Sequence, residues 1–105
     1  ILNVASTAAY QPGPLMAVYY ATKSYVLSFS LALRAELQAR HVNVSTLCPG
    51  PTLSGFQARS GMSASRLERI QKLLPGAIMT SEEVAQLAYS GWQLHRAVII
   101  PGWFN

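Results

Sequence analysis

The pattern of apolar and polar positions alternates along the chain between short runs typical of strands and longer stretches typical of helices. The short runs are rich in Val, Ile and Leu, and Pro and Gly end two of them. The longer stretches contain mainly Ala, Leu and straight-chain polar residues, which favour helices. The pattern predicts strands over residues 1–5, 42–47 and 97–100, and helices over 15–40, 65–74 and 80–95.

This order of elements, β–α–β–α–α–β, is typical of an α/β fold in which helices connect parallel strands. Thr80, followed by two glutamates, predicts the cap of the last helix, and residues 52–64 are predicted to form a loop. Strand 1–5 is predicted to be buried, because a parallel sheet needs cover on both faces. One edge of the sheet stays unpaired unless another chain, or a segment outside this sequence, pairs with it.

The chain is unusually poor in charge. It has 105 residues, of which 50% are hydrophobic and 11% are charged, against about 25% charged in an average globular protein. This composition excludes a disordered chain and predicts that some apolar surface faces other protein. The net charge of +4 is spread thinly, and only Arg66, Arg69 and Lys72 cluster, around Glu68. A solvated helix face is favoured over a nucleic-acid site, with an anion-binding patch as the alternative.

The cysteine and hydropathy patterns bear on location. Cys48 is the only cysteine, so no internal disulfide can form, which is consistent with a reducing compartment and predicts a cytoplasmic protein. No apolar run approaches the roughly 20 residues of a membrane span, and no signal peptide is visible. No His, Cys and Asp cluster has the spacing of a metal site. The chain begins without Met inside a strand-like run, so we expect a fragment or a processed product.

Three polar side chains are candidates for chemistry. Tyr19 and Lys23 are four residues apart on the first predicted helix, so both lie on one face. A phenol ionises only near pH 10, but a neighbouring ammonium stabilises the phenolate and makes it a better general acid or base. Ser6 ends the first strand, where open α/β sheets form their ligand crevice. A hydroxyl there can donate to a substrate carbonyl oxygen.

A Tyr and a Lys at this spacing also occur by chance in ordinary helices, where the lysine is simply solvated. The wider arrangement makes the pair more specific: Ser6 lies thirteen positions before Tyr19, and the next strand ends in Pro49 and Gly50.

In residues 3–9, 19–24 and 48–52 the sequence resembles the short-chain dehydrogenase/reductase family. The resemblance covers essentially the whole chain, is to the carboxyl-terminal half of the family, and looks closest to bacterial reductases with a Pro-Gly-Pro-Thr turn. It implies part of a Rossmann-like, doubly wound parallel sheet over residues 1–105, with the amino-terminal dinucleotide-binding half absent.

The resemblance also implies roles for the candidate residues. Tyr19 would donate or accept the proton, Lys23 would assist Tyr19 and bind the nicotinamide ribose, and Ser6 would polarise the substrate carbonyl. Residues 53–74 would form the segment that covers the substrate.

The turn after the second long strand is implied to contact the cofactor. Pro49 and Gly50 would pack near the nicotinamide, and Thr52 would contact its carboxamide. The family often has Val or Ile at the position of Thr52, so a side-chain role there is less certain than a backbone one.

The implied cofactor is NAD or NADP, but no Gly-x-x-x-Gly-x-Gly turn occurs in the chain. One hypothesis is therefore a segment of an NAD(P)-dependent oxidoreductase of the carbonyl reductase or alcohol dehydrogenase type, acting on a small carbonyl or alcohol substrate. The other is an inactive remnant that acts only by protein association. The expected partners are a second copy in a homo-oligomer or the missing amino-terminal half, with neither nucleic acid nor membrane. Whether this chain alone is an enzyme stays open.

Other residues have plainer interpretations. His41 and His95 fall near the ends of the two main helices, where a cation is favourable. Cys48 is predicted to be a small buried apolar residue. Trp103 and Phe104 follow the last strand and predict either a subunit contact or a core cap.

Overall fold

The computed structural model of the 105-residue chain describes residues 1–53, 69, 72–73 and 78–102. Its strands are β1 (Leu2–Val4), β2 (Ser45–Leu47), β3 (Thr52–Leu53), β4 (Met79–Thr80) and β5 (Val98–Ile99). Its helices are α1 (Ala17–Leu37) and α2 (Ser81–Gln93), with short 3-10 helices at Thr7–Tyr10 and Gln38–Arg40.

The main sheet has three parallel strands in the order β1-β2-β5, and it confirms the predicted α/β fold. The backbone N–H of Ala5 donates to the carbonyl of Leu47 at 2.7 Å, and that of Cys48 donates to Ile99 at 2.8 Å. The pairing therefore extends one residue beyond the strands at their carboxyl ends, and this edge of the sheet is held together by backbone bonds.

The two long helices cover opposite faces of the sheet. Leu47 and Ile99 pack against Val84 and Ala88 of α2. The next residue along β2, Cys48, instead packs with Leu27 of α1 and with Ala5. Successive residues of a strand point to opposite faces, so β2 is buried on both sides. This is the doubly wound, Rossmann-like arrangement that the sequence predicted.

Strand β1 is covered on one face only. The side-chain amide of Asn3 donates to the hydroxyl of Ser30 on α1 at 3.0 Å. On the other face Leu2 and Val4 are 37% and 53% exposed. The prediction of a fully buried first strand is therefore wrong, because the α2 cluster reaches β2 and β5 rather than β1. Among the described residues, β1 pairs with β2 alone and forms an edge of the sheet.

A second, two-stranded sheet was not predicted. β3 pairs with β4 in parallel, with Thr52 opposite Met79 and Leu53 opposite Thr80. The hydroxyl of Ser81 also donates to the carbonyl of Leu53 at 2.9 Å. The expected loop over 52–64 therefore begins as a strand, because this pairing joins residues distant in sequence and each strand is too short to leave a pattern.

The helix ends follow local chemistry. At the start of α2, the N–H of Glu83 donates to the hydroxyl of Thr80 at 3.2 Å, and the carboxylate of Glu83 accepts from the N–H of Thr80 at 3.1 Å. This capping box confirms the predicted start. The α1 helix is regular to Leu37 and ends through a 3-10 turn, whereas a helix to residue 40 was predicted. Both helices are followed by a left-handed histidine, His41 (φ 57°) or His95 (φ 56°).

Some predictions fall outside the described residues. They are the bulk of the substrate-covering segment 53–74, Arg66 of the basic cluster, and the terminal aromatic pair Trp103 and Phe104. The other two cations of that cluster, Arg69 and Lys72, are helical and exposed. Among the residues that the structure describes, no helix combines the length and apolar character needed to cross a membrane, and no group of side chains could hold a metal ion.

Candidate active site

Ser6 lies just beyond the carboxyl end of β1 and starts the first 3-10 helix. Its backbone is extended, and its hydroxyl oxygen accepts from the N–H of Ala8 at 3.1 Å. The same hydroxyl donates to the carbonyl of Pro49 at 3.4 Å, and the N–H of Thr7 donates to that carbonyl at 3.0 Å. The structure therefore brings two predicted site residues, Ser6 and Pro49, together at the carboxyl edge of the sheet.

Tyr19 and Lys23 lie one turn apart in the first half of α1. The Nζ atom of Lys23 is 5.6 Å from the centroid of the Tyr19 ring, within the range of a cation–π contact. The Tyr19 ring also meets the ring of Tyr20 edge to face, with centroids 5.9 Å apart. The predicted proximity of the ammonium and the phenol is thus observed, and both side chains are half-buried.

The start of α1 is fixed against the segment that follows Ser6. The hydroxyl of Ser24 lies 2.9 Å from the carbonyl oxygen of Ala9 and 3.0 Å from that of Tyr20. The ring of Tyr20 occupies the space that a Cβ atom on Gly13 would fill, so only glycine fits there without displacement. These contacts place the helix that carries Tyr19 directly beside the 3-10 helix that Ser6 begins.

The turn after β2 carries the remaining predicted residues. The hydroxyl of Thr52 donates to the carbonyl of Gly50 at 2.9 Å, which stabilises the turn. A Cβ atom added to Gly50 would meet only the hydroxyl of Thr7, at an ordinary contact distance of 3.9 Å. Apart from Gly50 and its two chain neighbours, no other described atom comes within 4 Å of that position. Among the described residues, this face of the turn at Gly50 thus leaves room for a flat group to approach its backbone.

Sequence reasoning missed a contact beside this turn. Cys48 is fully buried, as predicted, but its thiol is also hydrogen-bonded to the hydroxyl of Tyr10. Burial raises the pKa of the Cys48 thiol, and the hydrogen bonds from Tyr10 and the backbone of Ser6 offset part of this rise. Burial and the adjacent sulfur also raise the pKa of Tyr10. Nothing in the spacing of Tyr10 and Cys48 indicated the contact, because they belong to different strand–loop junctions.

Known proteins with similar sequences are dehydrogenases and oxidoreductases. The sequence model described as "short chain dehydrogenase" matches residues 1–64. Probable oxidoreductase EphD of Mycobacterium tuberculosis is 41% identical over 64 residues, covering 61% of this chain and 11% of that protein. Human 17-beta-hydroxysteroid dehydrogenase type 3 is 43% identical over 49 residues, covering 47% of this chain and 16% of that protein.

Solved structures match the whole chain. A short-chain dehydrogenase from Sphingobium yanoikuyae in complex with NADPH superposes with a TM-score of 0.83 at 28% identity, covering 100% of this chain and 38% of that one. The 3-oxoacyl-[acyl-carrier protein] reductase of Brucella melitensis gives a TM-score of 0.72 at 27% identity, covering 100% of this chain and 42% of that one. The chain therefore spans less than half the length of the proteins that it resembles.

Proposed function

This chain belongs to the short-chain dehydrogenase/reductase family, and from that membership we propose that it carries the catalytic residues of an NAD(P)-dependent oxidoreductase that interconverts a small carbonyl compound and its alcohol. The single observation that carries the proposal is the position of the Lys23 ammonium, 5.6 Å from the ring centroid of Tyr19. The pair lies on a helix packed beside the segment that Ser6 begins.

Tyr19 is the proposed general acid for carbonyl reduction. As hydride adds to the carbonyl carbon, the phenolic O–H bond breaks and the proton passes to the substrate oxygen, which becomes the alcohol hydroxyl. The phenolate left behind is stabilised by the positive charge of Lys23. In the direction of alcohol oxidation, the same phenolate takes the proton back.

Ser6 is the proposed donor to the substrate oxygen. Its bond to the carbonyl of Pro49 measures 3.4 Å, well beyond the ~2.5–3.0 Å of a good O–H···O bond. A bond of this length is weak and easily exchanged for one to a substrate carbonyl. The hydroxyl is therefore held at the edge of the sheet by its contact with Ala8 and remains able to donate to a ligand.

The residues at this edge suit the nicotinamide end of a dinucleotide. The ammonium of Lys23 can bind ribose hydroxyls, and the open face at Gly50 admits a flat ring. Pro49 and Thr52 would shape the turn against that ring. When bound, the nicotinamide supplies or accepts the hydride. The NADPH in the Sphingobium yanoikuyae structure supports NADP as the candidate, with NAD as the alternative.

The pyrophosphate end has no evident partner within the sequence. The chain contains no Gly-x-x-x-Gly-x-Gly turn, so we propose that it holds the nicotinamide half of the cofactor and that tight binding needs further residues. Its single, buried cysteine suits a reducing compartment such as the cytoplasm.

Association with other protein is proposed alongside this chemistry. The exposed side of α1 presents Val18, Tyr25 and Phe29, and the rings of Tyr25 and Phe29 stack at 6.0 Å. This apolar surface suits a second copy of the chain or an amino-terminal half of the same enzyme. A purely associative, inactive protein is the weaker proposal, because the relatives described above are named as oxidoreductases, dehydrogenases or reductases.

The experiment divides the cofactor into its two halves. Reduced nicotinamide mononucleotide and AMP are titrated separately into the chain while its two lysine ammonium signals are followed by NMR. We expect the nicotinamide half to shift the Lys23 signal saturably and AMP to leave it unchanged. With binding followed instead by the fluorescence of the reduced nicotinamide, Lys23→Ala should remove the binding, whereas the matched variant Lys72→Ala should keep it. If neither half nor NADPH perturbs Lys23, the proposal is wrong.

A further inference from the structure

Arg34 ties together three segments at the amino edge of the sheet, the edge opposite the candidate active site. Its Nη1 atom donates to the side-chain oxygen of Asn43 at 2.8 Å and to the carbonyl of Val44 at 2.6 Å. Its Nη2 atom donates to the carbonyl of His95 at 2.7 Å. The guanidinium is therefore fixed between the end of α1, the residues before β2 and the residues after α2.

A surface cleft of about 330 Å³ opens beside this guanidinium. This volume is near the lower limit of small-molecule sites, so the cleft suits a small ligand. None of the lining side chains is acidic, and five of the six are polar. The lining residues are Arg34, Gln38, His41, Val42, Asn43 and His95.

Two helices end at this cleft, and the carbonyls at a helix end normally disfavour anions. Here backbone N–H groups pair several of those carbonyls. His41 and Val42 donate to Gln38 and Leu37 at the end of α1. At the end of α2, the N–H groups of Leu94, His95 and Arg96 donate to the carbonyls of Ser90, Trp92 and Gly91 respectively. These bonds leave fewer free carbonyls facing the cleft, so the Arg34 guanidinium is the main charged group in its lining.

Those side chains present hydrogen-bond donors. Arg34 uses both hydrogens of Nη1 and one of Nη2, which leaves Nε–H and one Nη2–H without an acceptor among the described residues. His41 and His95 add two imidazoles to the lining. Arg40 and Arg96 are the neighbours of these two histidines in sequence.

We propose that this cleft binds a small oxyanion of the phosphate class, either inorganic phosphate or the phosphate group of a small phosphomonoester. A guanidinium matches phosphate oxygens in geometry and charge. Arg34 is already held in place by three hydrogen bonds, so little side-chain entropy is lost on binding. The site lies at the opposite edge of the sheet from Ser6 and Pro49 and is independent of the hydride chemistry proposed there.

The test uses the two histidines as reporters, since the chain contains only two. Inorganic phosphate is titrated into the chain at constant pH, with sodium chloride of matched ionic strength as the reference, and the imidazole NMR signals are followed. We expect both signals to shift and to saturate with one dissociation constant. An absent or non-saturating shift, or an equal shift with chloride, would overturn the proposal.

Two variants test the role of the cleft itself. Gln38→Glu places a carboxylate in the lining without touching a hydrogen bond of Arg34, and we expect phosphate affinity to fall by about tenfold. The control Gln86→Glu makes the same charge change on the exposed surface of α2 and should leave affinity unchanged. Equal losses of affinity in the two variants would mean that binding depends only on the net charge of the chain. That result would contradict a specific site in this cleft.

Arg34→Gln should weaken phosphate binding at least as strongly, with circular dichroism used to check that the chain still folds. Glycerol phosphate then separates the two sources of the anion. Tighter binding than inorganic phosphate assigns the site to phosphomonoesters, and equal binding assigns it to free phosphate.

Discussion

The two edges of the main sheet hold their polar side chains in different ways. At the carboxyl edge, Ser6 makes a 3.4 Å bond to Pro49, and Lys23 lies over an aromatic ring rather than in an ion pair. At the amino edge, Arg34 makes three bonds of 2.6–2.8 Å to acceptors on two other segments. Short bonds at the amino edge hold the fold together, and the looser contacts at the carboxyl edge leave the groups that we propose engage a substrate. The difference predicts that substitutions at the carboxyl edge change activity, whereas substitutions at the amino edge change stability.

The largest expected effect is on turnover. Tyr19→Phe removes the proposed acid while keeping the ring under Lys23, so we expect NAD(P)H oxidation to fall by about 10²–10⁴-fold in protein competent for turnover. Cofactor affinity and the free energy of unfolding should change little. The matched variant Tyr25→Phe, on the exposed side of α1, should keep full activity. Full activity in Tyr19→Phe would contradict the assignment of Tyr19 as the general acid and base.

At the opposite edge, Arg34→Met should act on stability. The substitution keeps much of the side-chain stem but leaves the carbonyls of Val44 and His95 without their donor. We expect the free energy of unfolding to fall by about 3 kcal/mol, measured by urea denaturation. Arg96→Met, for which no hydrogen bond from the guanidinium is described, provides the control and should change stability by less than about 0.5 kcal/mol.

A smaller loss is expected where α2 crosses β5. A Cβ atom on Gly91 would lie 2.7 Å from Cγ1 of Ile99, so Gly91→Ala requires the Ile99 side chain or the helix to shift. Alanine normally favours a helix by about 1 kcal/mol over glycine, but overpacking of this kind costs about 1–3 kcal/mol. We therefore expect a net loss of about 1 kcal/mol in chemical denaturation. Ser90→Ala, one residue away and exposed, should be neutral or slightly stabilising.

A gain of similar size is expected at a helix end. His95 adopts a left-handed backbone, with φ of 56°, where glycine carries no steric cost. His95→Gly should raise the free energy of unfolding by about 0.5–1 kcal/mol, read from the shift in thermal midpoint. His41→Gly makes the equivalent change at the end of α1 and should give a gain of the same sign. A loss in both would contradict strain at these positions.

The smallest effect concerns Cys48. Because burial raises the pKa of its thiol, the folded state keeps a proton that the unfolded chain releases above about pH 8.5. The unfolded state then binds fewer protons, so stability should fall slightly as the pH rises from 7 to 9.5. The decline should be reduced in Cys48→Ala, measured by urea denaturation across the same pH range. An identical decline in both proteins would assign it to other groups.

The sequence predicted what depends on local patterns. Helix α1, the Thr80 cap and the approach of Tyr19 and Lys23 follow from spacings of three or four residues. The fold class could also be predicted from the sequence, because an alternation of strands and helices is compatible with few topologies.

The remaining features depend on contacts between distant parts of the chain. Arg34 and His95 are 61 positions apart, and the pairing of β3 with β4 joins segments that share no pattern. The contact of Tyr10 with Cys48 depends on the pairing of β1 with β2, which aligns the ends of these strands. The exposure of Leu2 and Val4 likewise depends on which strands α2 covers. Residue type and spacing carry no information on such contacts.

The carbonyl of Pro49 accepts hydrogen bonds from both the hydroxyl of Ser6 and the N–H of Thr7. A ligand that pushes on the turn at Gly50 therefore also moves the acceptor that orients Ser6. We therefore expect occupancy on one side of the crevice to change affinity on the other, and by thermodynamic linkage the influence would be mutual. In the proposed reaction, the cofactor and the substrate would thus influence each other's affinity through the carbonyl oxygen of Pro49, with no need for a helix to move.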